Sequence, residues 1–354
     1  MTLLLNNDDV DRLLSPSDYL ALLEPAYLEL DSGQAVTRTR ADSLVKSVDG
    51  LTYSLKTVDA VMPSAGVAVV RINSDVIAWP VSDGVARRQK LPRANGQWVG
   101  LVLVFSTETG EPLMIMPDGV AQRMRVAATS VMAMQRLARH DARVLGIIGT
   151  GWQAGAHVQM ALTAHAFETV RCFAPNPERR RSFAEQMTAQ TGVLVEAVAS
   201  ADEATEASDV ILCATSAIEP VVRENWIRPG VHVGVVKLAE MPCAHLDRFD
   251  IAVVHSTLST PTVISSRDLN RPETKATHKG SIDPSAAHAL PQLVDLLSGR
   301  VSGRTDSKQA SCFLNNSGLG LQFAPIAAQL YARANEKGVG KQLPTSWFTE
   351  SVHP

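Results

Sequence analysis

Cysteine is scarce in this sequence of 354 residues: only Cys172, Cys213, Cys243 and Cys312 occur, with no Cys-x-x-Cys spacing between any two of them. Such scatter argues against a zinc site and against a disulfide framework, so no metal is expected and a reducing, cytoplasmic setting fits. An excess of either charge is also missing, since 33 Lys and Arg face 36 Asp and Glu for a net charge of −3. Nothing in that balance favours nucleic acid or an anionic membrane surface. No apolar run approaches the ~20 residues of a membrane span. Asp8, Asp9 and Asp11 stand where a secretory signal would carry basic residues. Internal repeats and low-complexity tracts are absent as well. What remains is the composition of an ordinary globular protein, 45% apolar and 19% charged, long enough for two domains.

One stretch organises the chain. An apolar run from Val144 ends in Gly149-Thr150-Gly151-Trp152-Gln153-Ala154, a helical run follows, and a second strand-like run covers Thr169 to Phe173. A strand ending in Gly-x-Gly-x-x-Ala and opening a helix is the first βαβ unit of a dinucleotide-binding domain. Gly149 makes the tight turn, Gly151 lets backbone approach a pyrophosphate, and Ala154 permits close packing of helix on strand. The helix N-terminus adds free N–H donors and positive dipole. The pattern then repeats as a helix from Pro177, strands at Gly192–Val198, Asp209–Ala214, Val231–Val236 and Asp250–His255, and a short helix at Ala201–Ala207. Strands alternating with helices predict a doubly wound parallel sheet. Loops at its C-terminal strand ends, Thr215-Ser216 and Lys237–Met241, are expected to line the cofactor crevice.

The flanking segments read differently. Ser15 and Pro16 introduce a helix over Asp18–Leu30. Short strands are predicted at Thr37–Val45, Leu51–Thr57, Val67–Ile72 and Trp98–Phe105, leaving Asn73–Gln97 as a long connection of the functional or mobile kind. Arg38 and Arg40, two apart on one predicted strand, point the same way, as do Ser54 and Lys56 on the next. Arg71 ends an apolar strand, where a charge is usually partnered or faces a cleft. A helix over Met124–Leu137 carries Arg125 into the glycine strand. Thr260–Thr305 is polar and unpatterned. A long helix over Leu321–Arg333 is expected to pack back on the first domain, with Trp347 and Phe348 anchoring the tail.

Taken together, Leu101 to Leu113, Gln122 to Ser130, the glycine motif, Cys213 to Pro220 and Trp226 to His232 resemble the ornithine cyclodeaminase/mu-crystallin family over roughly residues 30–335. The resemblance implies a homodimer and an α/β fold: a Rossmann-like doubly wound parallel sheet inserted between two halves of an α+β catalytic and dimerisation domain. Residues 1–125 and 311–354 would form the substrate-binding and dimerisation domain, and 126–310 the NAD(P)-binding domain. It also implies hydride exchange between nicotinamide and an amino or imino acid, as an imine reductase or amino-acid dehydrogenase. The alternatives are a cyclodeaminase-like ammonia lyase and a non-catalytic NADPH-dependent ligand-binding protein. Position by position, the family arginine of a Pro-x-Arg strand falls on Arg40, with Arg38 in place of the proline, and the carboxylate-gripping arginine falls on Arg125. The family's catalytic lysine falls on Arg71 and its cyclodeaminase aspartate on Ala239, beside Glu240. A guanidinium is no base near neutral pH, so Glu240 and Lys56 are the acid–base candidates while Arg71 orients and stabilises charge.

The cofactor's identity follows from the tip of the second strand. It reads Ala174-Pro175-Asn176-Pro177-Glu178-Arg179-Arg180-Arg181, with no acid to take two ribose hydroxyls and arginines where a 2′-phosphate would lie. NADP is therefore expected ahead of NAD, held by Gly149, Thr150, Gly151, Trp152, Gln153, Ala154, Asn176, Arg179, Thr215, Ser216 and Lys237.

Overall fold

The computed structural model describes residues 1–82, 85–86, 89–217, 219–258, 260–269 and 282–352. The chain divides into two compact units, one of Met1–Gln122, Leu258–Ala276 and Gly318–Pro354, the other of Arg123–Thr257 and Thr277–Ser317.

The first unit is built on a ten-stranded sheet. Its first-half strands are Thr2–Leu4 (β1), Val36–Thr37 (β2), Ala41–Lys46 (β3), Thr52–Met62 (β4), Val67–Ala78 (β5), Gln89–Leu91 (β6), Val99–Ser106 (β7) and Pro112–Pro117 (β8). The main path runs Thr262–Ser265, β3, β4, β5, β7, β8, β1, Lys341–Leu343, with β2 on β4 and β6 on β5. Three expectations change here. The long connection after Ile72 is largely strand, because β5 continues to Ala78. Arg38 and Arg40 lie between β2 and β3 rather than on one strand. In the unpatterned stretch, Thr262–Ser265 is an edge strand parallel to β3, while 270–281 fall outside the described residues.

Alternation along these strands gives the sheet two faces. One buries Val58, Ala60, Met62, Val67, Val69, Val102 and Val104, and the helix Phe323–Lys337 packs on β4 and β5. The other carries Val45, Leu55, Val99 and Leu101, all more than a third exposed. At the N-terminus, Ser15 and Asp18 form a capping box for the helix Pro16–Asp31, with Pro16 in its first turn. Arg333 of the last helix bonds Asp18 at 2.6 Å and so ties the two chain ends together. Trp347 and Phe348 do not anchor the tail, being 69% and 43% exposed.

The second unit holds a seven-stranded sheet. Its strands are Val144–Ile148 (β9), Thr169–Phe173 (β10), Val195–Ala197 (β11), Val210–Cys213 (β12), His232–Val235 (β13), Ile251–Val254 (β14) and Ser311–Leu314 (β15). The order is β11-β10-β9-β12-β13-β15-β14, and every pair is parallel. Helices Trp152–Ala164 (α1), Pro177–Thr191 (α2) and Ala201–Thr205 (α3) make the crossovers, as in a doubly wound sheet. Buried apolar strands such as Val210–Cys213 suit a sheet covered on both faces. β15 corrects one boundary, since Ser311–Leu314 belongs to this sheet and not to the first unit, where the sequence alone places residues from 311 on.

Candidate functional site

Two polar regions stand out, one in each unit. In the second unit, Gly149 ends β9 with φ +112°, and a Cβ there would lie 2.4 Å from the Ala214 carbonyl oxygen. Only glycine takes that turn so close to the end of β12. A Cβ on Gly151 would meet nothing within 4 Å. Gly151 caps α1 without a side-chain hydrogen bond, so the first-turn N–H groups gain no side-chain partner from the cap. A cleft of about 700 Å³ opens here, lined by Gly149, Thr150 and Gly151, by Phe173, Asn176 and Arg179, and by Thr215, Ser216 and Ala217. Ala154 is fully buried where α1 meets the sheet. These residues fit a dinucleotide: backbone donors and helix dipole for a pyrophosphate, with room for backbone approach.

At the tip of β10 the arginines divide. Arg179 is exposed and lines the cleft. Arg180 donates to the Ala174 carbonyl at 3.0 Å and lies over the Phe173 ring, while Arg181 lines a separate surface groove with Glu185 and Thr188. Asn176 caps α2 by accepting the Arg179 N–H at 2.9 Å. Val222, Arg223 and Trp226, absent from the sequence-based site, also line the cleft from beyond the loop. No spacing rule marks them.

Glu240 is fully buried, and its carboxylate turns away from solvent. It accepts the Thr215 N–H at 2.7 Å, the Thr215 hydroxyl at 2.6 Å, the Val236 N–H at 2.9 Å and the Lys237 N–H at 3.2 Å. Burial raises its pKa, with the Thr215 bonds and Lys237 pulling the other way. Four hydrogen bonds from its own loops make this carboxylate a staple between the ends of β12 and β13. Lys237 spans the same two loops, donating its Nζ to the Ala217 carbonyl at 2.8 Å, and burial lowers its pKa.

Arg125 is 4% exposed. It lies well inside the helix Gly119–Leu137, which starts five residues earlier than the sequence suggests, so it does not open that helix. One turn on, Ser130 accepts from Asn315 Nδ2 at 3.0 Å and lies 3.1 Å from His157 Nε2, joining this helix to β15's end and to α1. Asn315 also donates to the Val126 carbonyl at 3.0 Å. His157 reaches the Gln153 carbonyl at 2.8 Å, and Gln153 Nε2 donates to the Arg123 carbonyl at 2.9 Å. Burial holds His157 down to about 4, and burial with the nearby Arg125 charge holds His255 down to about 3.

The first unit's polar region lies on the buried face of its sheet. Register places Asp42, Lys56, Asn73 and Gly100 in one row, and Ser54 with Asp75 in the next. Lys56 and Asp75 are 6% and 3% exposed, and Nζ stands 2.5 Å from Oδ2, with Lys90 3.0 Å from the other oxygen. Burial pushes the Asp75 pKa up, but Lys56 and Lys90 outweigh it and hold the carboxyl below its usual range. Arg71 binds Asp118 through Nη2 at 2.7 Å and Nε at 2.8 Å, and its guanidinium lies over Phe323, 5.4 Å from the ring centre. Asn73 donates to the same Asp118 oxygen at 3.0 Å. Gly100 makes room for this knot, since a Cβ there would fall 2.0 Å from Asp118 Oδ1. Arg40 is held bidentately by Asp42 at 2.7 and 3.1 Å, and Arg38 by Asp59.

With this geometry described, comparison adds three kinds of likeness. The family model described as "Ornithine cyclodeaminase/mu-crystallin family" matches residues 2–338. Delta(1)-pyrroline-2-carboxylate reductase of Bacillus cereus is 29% identical over 249 residues, 69% of this chain and 74% of that one. Ketimine reductase mu-crystallin of Mus musculus is 33% identical over 146 residues, 41% of this chain and 45% of that one. Among solved structures, Thermococcus litoralis Delta(1)-pyrroline-2-carboxylate reductase in complex with NADH and L-proline superposes with a TM-score of 0.77 at 28% identity, covering 97% of this chain and 100% of that one.

Proposed function

The chain belongs to the ornithine cyclodeaminase/mu-crystallin family, and from that premise we propose that it is an NADPH-preferring imine reductase converting an α-imino acid, cyclic in the first instance, to the α-amino acid. At the coarser level it is an NAD(P)-dependent oxidoreductase of this family's type, working on amino or imino acids. When bound, the reduced nicotinamide supplies a hydride. The observation that carries reduction over deamination is the state of Arg71. Where the resemblance calls for a proton-shuttling lysine, this chain has a guanidinium locked by Asp118 and stacked on Phe323. Glu240, next to the Ala239 that stands in the family's aspartate position, is held by the Thr215 hydroxyl and by backbone N–H groups. Removing ammonia from a diamine needs proton transfers at such positions. Reducing an iminium that arrives already protonated needs none, only a hydride and groups that hold a carboxylate.

Arg125 is our candidate for bidentate grip of that carboxylate; in the first unit, Arg71 is bound to Asp118 and Arg40 to Asp42. Lys56 is left as the reserve proton donor. The cofactor preference is supported by the β10 tip, where Asn176 caps α2 and Arg179 lines the cleft in place of an acid. We assign the first unit to dimerisation, a second copy covering the exposed apolar face around Leu55, Val99 and Leu101. The buried thiols Cys172, Cys213 and Cys312 fit a cytoplasmic location, and no helix among the described residues is long and apolar enough to cross a membrane.

The test follows NADPH absorbance and free ammonia with Delta(1)-pyrroline-2-carboxylate and with ornithine. Consumption of NADPH by the imine alone is expected. Ammonia from ornithine without net NADPH loss would make the chain a cyclodeaminase, and inertness in both assays a binding protein.

A further inference from the structure

Beyond the loop that follows β12, Arg223 lines the cleft together with Val222 and Trp226, and its side chain is 55% exposed. One carboxylate sets its place. Asp202, in the first turn of α3, accepts from Arg223 Nη1 at 2.6 Å and from the Trp226 indole N–H at 2.9 Å. The Arg223 guanidinium carbon also lies over the Trp226 ring, 5.9 Å from its centre. Because α3 follows β11, the edge strand beside β10, this anchoring puts Arg223 on the β10 side of the glycine turn. The cofactor's own chemistry orders the cleft: pyrophosphate at the glycine turn, adenosine ribose at the β10 tip, and so the base carried by that ribose at this end. Asp202 occupies an edge of the guanidinium, and Arg223 is therefore not offered as a hydrogen-bond donor. What a planar cation still has to give is its faces, of which the indole takes at most one.

We propose that Arg223 stacks the plane of its guanidinium on the cofactor's adenine and so forms a wall at the adenosine end of the cleft. The inference rests on the dinucleotide reading of the cleft and deepens it. A purine presents a π-face, and a guanidinium laid on it gains cation–π attraction and dispersion while its N–H groups stay with Asp202. Asp202 and Trp226 are then positioning residues that hold the plane in place. The division of labour with Arg179 is specific. Adenine is common to NADH and NADPH, so Arg223 serves both; a 2′-phosphate belongs to NADPH alone, so Arg179 serves one. A flat aromatic side chain could stand in for the stacking plane, whereas a lysine carries the same charge without it.

The experiment is calorimetric titration of NADPH, NADH and AMP into the wild type, Arg223→Ala, Arg223→Lys and Arg223→Phe, with folding checked by thermal melts. Arg223→Ala should weaken all three ligands by a similar factor of about five, as for loss of one exposed cation–π stack. Arg223→Lys should lose as much, while Arg223→Phe should keep most of the wild-type affinity. Should Arg223→Ala not fold, the contrast between Lys and Phe decides alone. Wild-type affinities in Arg223→Ala, a loss confined to NADPH, a loss that spares AMP, or a loss that lysine restores and phenylalanine does not, each overturn the proposal. A wild type that binds no dinucleotide overturns the cofactor reading itself, which separates the two failures.

Discussion

We propose that cofactor preference turns on Arg179. It is exposed on the cleft, while Arg180 is spent on Ala174 and Phe173. Arg179→Ala should weaken NADPH by roughly 1.5–3 kcal/mol, the range for a hydrogen bond to a charged group, and leave NADH unchanged; parallel fluorescence titrations check it. The buried pair makes a second prediction. Lys56→Met strands Asp75 in a nearly closed environment, and breaking a buried ion pair costs about 3–5 kcal/mol. Because Lys90 still reaches the carboxylate, we expect the lower end, read from the urea midpoint. Lys56 and Arg71 are legible in the sequence, but neither carboxylate partner is. Asn73-Ser74-Asp75 has the composition of a turn, so a strand read from sequence stops at Ile72 and misses the i, i+2, i+4 row of Arg71, Asn73 and Asp75 on one face. Asp118 lies 47 residues from Arg71, and no local spacing rule joins them.

At the scale of elements, the glycine turn, its strand and its helix are legible because each glycine answers to a local need: a positive φ at Gly149, open space at Gly151. The loops after β12 and β13 are legible too, but the direction of Glu240 is not, since it depends on backbone N–H groups from two loops that meet only in the fold. Glu240→Gln is therefore a test of architecture. An amide offers one acceptor oxygen and brings two donors, so it cannot satisfy the Thr215 and Val236–Lys237 groups together. We expect a loss of stability of about 1–3 kcal/mol, with weaker NADPH binding because Thr215–Ala217 line the cleft. Thermal melts with and without cofactor measure both. The outcome distinguishes this role from proton transfer, which would lower turnover with stability intact.

At the scale of the whole molecule, three buried imidazoles among the described residues couple the fold to pH. Burial holds His157 to about 4 and both His232 and His255 to about 3, against 6.5 when unfolded. The unfolded chain therefore takes up protons first as pH falls. Stability is whole above about 6.5 and declines below it toward 4 and 3, each imidazole costing up to about 1.4 kcal/mol per pH unit. Melting temperatures from pH 7 to 4.5 should fall steadily, and less steeply in His157→Gln. The dimer proposed on the apolar sheet face gives another expectation at this scale: wild type should run as a dimer and Leu101→Glu as a monomer in light scattering. Such a face cannot be read from the strands alone, because burial against a partner leaves the same alternation as burial in a core. The central claim, reduction of an imino acid by hydride, is tested most directly with NADPH carrying deuterium at the transferable position and Delta(1)-pyrroline-2-carboxylate as acceptor. One deuterium on the α-carbon of the proline formed is predicted; NADPH binding with no deuterated amino acid, or deuterium retained on the cofactor throughout, would contradict it.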